Sequence, residues 1–134
     1  MAEKATVTIA FTNNKGGSGK TTTCANLGYS LSLLGKRVLL VDGDMQLNLS
    51  LSYFDEDRVL ELAAGEKNLY NGICREEDLT DYIIPTAYEN LDLIPSSTLM
   101  SGIEFELFTK WQRELILNRG LAKIKESGVY DYIL

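Results

Sequence analysis

Residues 5–42 read ATVTIAFTNNKGGSGKTTTCANLGYSLSLLGKRVLLVD, and the order of features in this stretch decides the fold class. Ala5 to Phe11 are β-branched or apolar and end at a glycine-rich loop, which predicts a buried strand. From Thr21 to Leu34 the apolar residues Cys24, Leu27, Leu31 and Leu34 recur at spacings of three and four, which predicts a helix, with Gly35 as its stop. Arg37 to Asp42 form a second strand whose apolar run is almost unbroken, as expected when both faces of a parallel sheet are covered. Strand, helix and strand in this order make a βαβ unit. The predicted fold is therefore α/β, a parallel sheet with flanking helices.

Working outward, the periodicity weakens. Leu47, Leu49, Leu51 and Phe54 suggest a short helix, Val59 to Ala64 another, and Leu69 to Ile73 a third. Asp81 to Ile84 and Leu91 to Ile94 read as short strands, each closed by a proline that has no N–H for a ladder. Ser101 followed by Glu104 fits a capping box, and Ile103, Leu107, Trp111 and Leu115 recur every fourth residue, which predicts one long helix over 102–126 with Trp111 in the core. Gly128 ends it, and residues 129–134, VYDYIL, read as another buried strand. No repeat or linker divides the chain, so residues 1–134 are expected to form a single, partial domain. A buried-type strand as the last segment needs cover on both faces, which suggests truncation.

The chain has 134 residues with 13 basic and 19 acidic side chains, a net charge of −6. That balance gives no general attraction to nucleic acid or to an anionic membrane. Cys24 and Cys74 lack metal-ligand spacing and histidine is absent, which argues against a zinc site or a disulfide framework and leaves two inert thiols. No apolar run is long enough for a signal peptide or a membrane span, so the sequence is expected to be soluble and cytoplasmic.

The loop carries the chemistry. A phosphate-binding P-loop reads G-x-x-x-x-G-K-[ST] between a strand and a helix, and Gly19, Lys20 and Thr21 supply its end. Asn14 stands where the first glycine belongs, and asparagine tolerates the left-handed backbone that such a turn uses. Gly16, Gly17 and Gly19, with Ser18 between them, let successive N–H groups turn inward around phosphate oxygens. The helix beginning near Lys20 directs its positive dipole end to the same place. Lys20 is then expected to bridge the β- and γ-phosphates, Thr21 to coordinate Mg²⁺, and Thr22 to donate to the α-phosphate. A flexible turn with a solvated lysine is the alternative, and the strand before and helix after weigh against it.

A dinucleotide-binding loop fails on its glycines: no G-x-G-x-x-G frame fits, because Thr22 or Ser18 falls on a required glycine. Asp42 and Asp44 follow the second strand at its carboxyl end, where ligands of open α/β sheets sit. One carboxylate there can hold Mg²⁺ through water while the other orients an attacking water.

KGGSGKTT, with a lysine ahead of the glycines, resembles the deviant Walker A motif of the ParA/MinD superfamily of ATPases. GKRVLLVDGDMQLNLS resembles the segment that reads V-D-x-D-P-Q-x-N in ParA proteins, and ENLDLIPSS and YDYIL also look ParA-like. The resemblance implies a P-loop ATPase that binds ATP and Mg²⁺. It implies that Lys20 is the phosphate-binding lysine and that Lys15 reaches across an ATP-sandwich homodimer to the partner's nucleotide. Asp44 matches the acid needed for hydrolysis and Asp42 the first acid of the pair. Gln46 and Asn48 favour ParA over MinD, and Met45 departs from the usual proline, which should loosen the turn. The resemblance further implies a ParB-like partner and nucleoid association in the full-length protein. Non-specific DNA would be bound through parts beyond this chain, and the Walker B acid would follow the strand that ends at Leu134. Two other readings fit the same residues. One is a phosphate-binding module without turnover, the other a MinD-like regulator, which would need a C-terminal amphipathic helix to reach a membrane.

Overall fold

The structure, a computed structural model, describes residues 6–10, 20–43, 47–108, 110 and 115–134, with residues 20–22, 104 and 105 described by backbone only. In chain order the elements are β1 (Val7–Thr8), α1 (Lys20–Leu33), β2 (Val38–Val41), α2 (Asn48–Leu51), α3 (Glu56–Ala64), α4 (Leu69–Cys74), β3 (Ile84–Pro85), β4 (Leu91–Ile94), α5 (Ile103–Leu107), α6 (Ile116–Ser127) and β5 (Tyr132–Ile133). Two 3₁₀ turns, Leu79–Tyr82 and Thr98–Gly102, precede β3 and α5.

The strands form one sheet in the order β1-β5-β2-β4-β3, parallel except for β3. β5 therefore lies between the two strands that α1 connects. The register explains the unbroken apolar run of β2. Val38 and Leu40 face a layer containing Cys24 and Ala25 of α1 and Leu49 of α2, whereas Leu39 faces Leu69 and Ile73 of α4 and Ile116, Leu121 and Ile124 of α6. Alternate side chains thus feed two separate cores, and neither face can be polar.

The predicted βαβ unit is present, with Gly35 at φ +83° just past α1, where a side chain would be strained; its first strand, expected to be buried, is instead described as Val7–Thr8 at the sheet edge with both residues exposed. The short helices expected around residues 47–54, 59–64 and 69–73 are all found.

Two further expectations are corrected. Asp81–Ile84 is not a strand: Leu79–Tyr82 is a 3₁₀ turn, and only Ile84–Pro85 pairs, antiparallel, at the sheet edge. Asp78 caps the turn, its Oδ1 accepting from Thr80 N at 2.9 Å and Thr80 Oγ1 at 2.7 Å. Leu79 and Tyr82, three residues apart, both point into the core, which a strand with period two could not arrange.

The single helix over 102–126 is instead α5 and α6. At about 100° per residue, Ile116 lies roughly 220° round a continuous helix from Ile103, so one straight helix could not pack both against the same core. Ile103 is packed against that core and Ile116 is buried in it, while Leu115, the last member of the predicted stripe, is exposed. Ser101, the expected first member of the capping box, lies inside the 3₁₀ turn and its Oγ donates to Thr98 O at 3.3 Å; the Glu104 side chain lies outside the described residues. Trp111 lies outside the described residues.

The crossing of α4, α6 and the first 3₁₀ turn depends on missing side chains. A Cβ on Gly72 would come within 2.4 Å of Leu79 Cδ2, with the Tyr82 ring at 3.4 Å behind it, and one on Gly120 within 3.0 Å of the same leucine. Gly72→Ala is expected to lower stability by about 1–3 kcal/mol through overpacking. Gly102→Ala, where nothing lies within 4 Å, should be close to neutral; urea denaturation of the two variants measures the contrast.

Candidate functional site

Four parallel strands deliver their carboxyl ends to one edge of the sheet. β1 leads towards the residues that precede α1, and α1 starts at Lys20. β2 ends at Val41, and the N–H of the next residue, Asp42, donates to Ile94 O of β4 at 3.0 Å. Val41 N donates to Leu134 O at 2.9 Å, which sets the end of β5 beside the end of β2. Since β5 separates β1 from β2, the connection through α1 passes over a strand, and this is the type of topological switch where open α/β sheets bind ligands.

Asp42 is the one described member of the predicted acid pair, and it is 1% exposed. Its Oδ2 accepts two hydrogen bonds from Ser50, from the backbone N at 2.9 Å and from Oγ at 2.5 Å. The backbone donor is the third residue of α2, so Asp42 does from the end of β2 what a local N-cap would do. The residue at the cap position, Leu47, offers no side-chain bond and has φ +63°. Burial of Leu47 at 4% exposure and the Asp42 link together hold a backbone angle that costs a leucine about 1–2 kcal/mol. Removing a carboxylate from water costs several kcal/mol. Two short donors and the N-terminus of α2 offset that cost.

The Asp42 charge is also felt on α1. Burial, and then Asp42, push the Cys24 thiol up to about 11 from its ordinary 9.0. Cys24 and Cys74 are both free thiols, and among the described residues no group of three or more His, Cys, Asp or Glu could hold a metal ion.

Of the predicted phosphate and metal ligands, Lys20, Thr21 and Thr22 form the first turn of α1. Their backbone position at a helix start is the one expected. Asn14, Lys15, Gly16, Gly17, Ser18 and Gly19 lie outside the described residues, as do Asp44, Met45 and Gln46. The structure thus brings α1's first turn and Asp42 to one sheet edge. Sequence reasoning missed Ser50, which holds Asp42 in place. The available signal was a helix starting at Asn48 without a local capping residue, which leaves its N–H groups in need of a distant acceptor. Ser96 and Ser97, directly after β4, are both 1% exposed. Ser97 Oγ donates to Ala63 O at 3.1 Å and accepts from Leu99 N at 3.2 Å, which ties the end of β4 to α3 and to the second 3₁₀ turn.

A mostly parallel sheet flanked by helices, with a helix starting at the carboxyl edge beside a buried acid, is the fold of P-loop nucleoside triphosphatases. The chain belongs to the AAA domain family AAA_31, which matches residues 6–134, in its ParA/MinD branch. It is 44% identical over 126 residues to the sporulation initiation inhibitor protein Soj of Bacillus subtilis, an alignment covering 94% of this chain and 47% of Soj. Cobyrinic acid a,c-diamide synthase from Mycobacterium smegmatis with bound ADP and magnesium is similar in structure, with TM-score 0.82 and 30% identity over 96% of this chain and 49% of its own. pNOB8 ParA bound to nonspecific DNA gives TM-score 0.71 and 34% identity over 96% of this chain and 45% of its own. The chain spans about half the length of these proteins. Among the described residues, no helix is long and apolar enough to cross a membrane.

Ser50→Ala removes the shorter of the two bonds to a buried charge. It should cost about 1.5–3 kcal/mol in urea denaturation. The Cys24 thiol is raised in the folded chain, so its contribution to stability is complete below pH 9.0 and is lost as pH rises towards about 11. Between pH 8 and 10.5 or so the wild type is therefore expected to lose more stability than Cys24→Ala, as compared by urea midpoints.

Proposed function

We propose that this chain supplies the phosphate-binding half of a ParA-type ATPase acting in plasmid or chromosome partition. The observation that carries the reading is the meeting, at one sheet edge, of the first turn of α1 and the buried Asp42. The similarity to Soj supports it. Residues 14–22 wrap the triphosphate: Asn14 makes the turn, Gly16, Gly17, Ser18 and Gly19 present N–H groups, and Thr22 donates to the α-phosphate. Lys20 neutralises the β- and γ-phosphates. Thr21, Asp42 and Asp44 form an all-oxygen donor set, which suits Mg²⁺. With Oδ2 of Asp42 held by Ser50, Asp42 would hold the metal through water and Asp44 would orient the attacking water. Mg²⁺, when bound, neutralises charge on the β- and γ-phosphates; the protein's part is positioning.

Lys15 serves the nucleotide of a second copy, so ATP joins two subunits into a homodimer. Two cations on one short loop repel each other, and a triphosphate between them relieves the repulsion. A ParB-like protein is the expected stimulating partner. Contact with non-specific DNA is assigned to the rest of the length seen in the relatives, because this chain carries a net charge of −6 and DNA contact needs positive charge. The complete protein would then act in the cytoplasm, on the nucleoid.

The test is equilibrium ATP binding and sedimentation with Mg·ATP, using a chain of the relatives' full length. Lys20→Ala is expected to lose at least about tenfold in ATP affinity, whereas Lys15→Ala should weaken ATP-dependent dimerisation more than ATP binding. Unchanged ATP affinity in Lys20→Ala would refute the loop assignment, and the reverse pattern in Lys15→Ala would return Lys15 to its own subunit's site.

A further inference from the structure

On the outer side of α1, a cavity of about 280 Å³ is lined by Ala25, Asn26 and Tyr29 of α1, Ser52 and Tyr53 after α2, and Tyr88 in the β3–β4 turn. Tyr88 meets both other rings edge to face, with centroids 4.9 Å from Tyr29 at 70° and 6.0 Å from Tyr53 at 82°. Tyr53 is fixed by its hydroxyl, which donates to Ala25 O at 2.6 Å. Tyr29 and Tyr88 remain 38% and 46% exposed, so the cluster presents ring surface to an open cavity. Core packing alone would have covered it.

The lining residues carry no charge, and the charged residues within four positions of them in sequence are all acidic. Its three lining segments, residues 23–35, 47–57 and 86–90, contain Asp55, Glu56, Asp57 and Glu89 and no lysine or arginine. All four acids are exposed. Basic residues begin just outside these segments, with Lys20, Lys36 and Arg58; Arg58 pairs with Glu61 at 3.5 Å, and Arg37 donates to Gly128 O at 3.2 Å. Aromatic faces attract cations through their quadrupole, and surrounding carboxylates raise the local concentration of positive charge. The same carboxylates disfavour a nucleotide or nucleic acid, whose phosphates are anionic. An arginine suits the site better than a lysine, because a planar guanidinium stacks on a ring while still hydrogen-bonding at its edge, and the exposed Asn26 is at hand to accept.

We infer that the Tyr29–Tyr53–Tyr88 cavity is a docking site for an arginine side chain on a basic segment of a partner protein. The inference is independent of the ATPase reading, since none of the lining residues belongs to the phosphate loop. It does place the partner next to the site's support. Ser52 and Tyr53 follow α2 directly, two and three residues after the Ser50 that holds Asp42, and Ala25 adjoins Cys24 in the layer beneath α1. A bound arginine would therefore rest on the two elements that frame the sheet edge.

The test is NMR titration of the full chain with the blocked tripeptide acetyl-Arg-Gly-Arg-amide and with its neutral counterpart, in which citrulline replaces both arginines. The arginine peptide is expected to shift amides of residues 25–29, 52–53 and 86–89 and to bind more weakly as salt is raised. The citrulline peptide should bind at least about tenfold more weakly. Tyr88→Leu, at a half-exposed position, should weaken the arginine peptide by a similar factor, while Tyr88→Phe, which keeps the ring, should not. Equal binding of the citrulline peptide, equal binding by Tyr88→Leu, or shifts located elsewhere would each overturn the inference.

Discussion

Asp42 must be buried and charged at the end of a central strand, and much of the carboxyl edge is arranged around that requirement. β2 carries it there between β4 and β5, with ladder bonds on both sides. Ser50 helps to keep the carboxylate in the interior by supplying two donors, and Ser50 comes into reach because α2 starts at Asn48 after Leu47 adopts a left-handed angle. The cap, the strained leucine and the short helix are thus one unit. Loss of the carboxylate would free the N-terminus of α2, and loss of α2 would leave a buried charge with fewer partners, the more costly of the two failures.

The parts of the fold that were legible in the sequence are those whose signal is local. The apolar run Val38–Val41, the three-and-four spacing from Cys24 to Leu31 and the stop at Gly35 each encode an element within a few residues and appear where expected, while Leu34 falls just past α1 and is exposed. The failures are non-local. Asp81–Ile84 resembles a strand, but burying Leu79 and Tyr82 on one side required a 3₁₀ turn. The stripe from Ile103 to Leu115 has helical spacing, yet the core accepts Ile103 and Ile116, which a single helix directs to different sides. Neither outcome could be read without knowing where the sheet lies.

The site divides in the same way. Residues 14–22 match a phosphate-binding pattern by type and order alone, and the described backbone places the end of that segment, Lys20 to Thr22, at a helix start. Asp42 was legible from its position after an apolar strand. Ser50 was not, because an eight-residue separation follows no periodic rule, and only the folded turn brings its hydroxyl to the carboxylate. The tyrosine cavity was equally hidden, since Tyr29, Tyr53 and Tyr88 come from three distant segments. α1 joins these features: its first turn faces the sheet edge, its buried side covers β2, and its outer side helps to line the cavity.

The claim that the loop before α1 and the acid after β2 form one nucleotide site is tested most directly by amide hydrogen exchange with and without Mg·ATP. The account predicts that Mg·ATP slows exchange at the amides of residues 16–22 and at Ser50, and leaves the outer half of α6 unchanged. Protection absent from residues 16–22, or spread evenly over the whole chain, would contradict it.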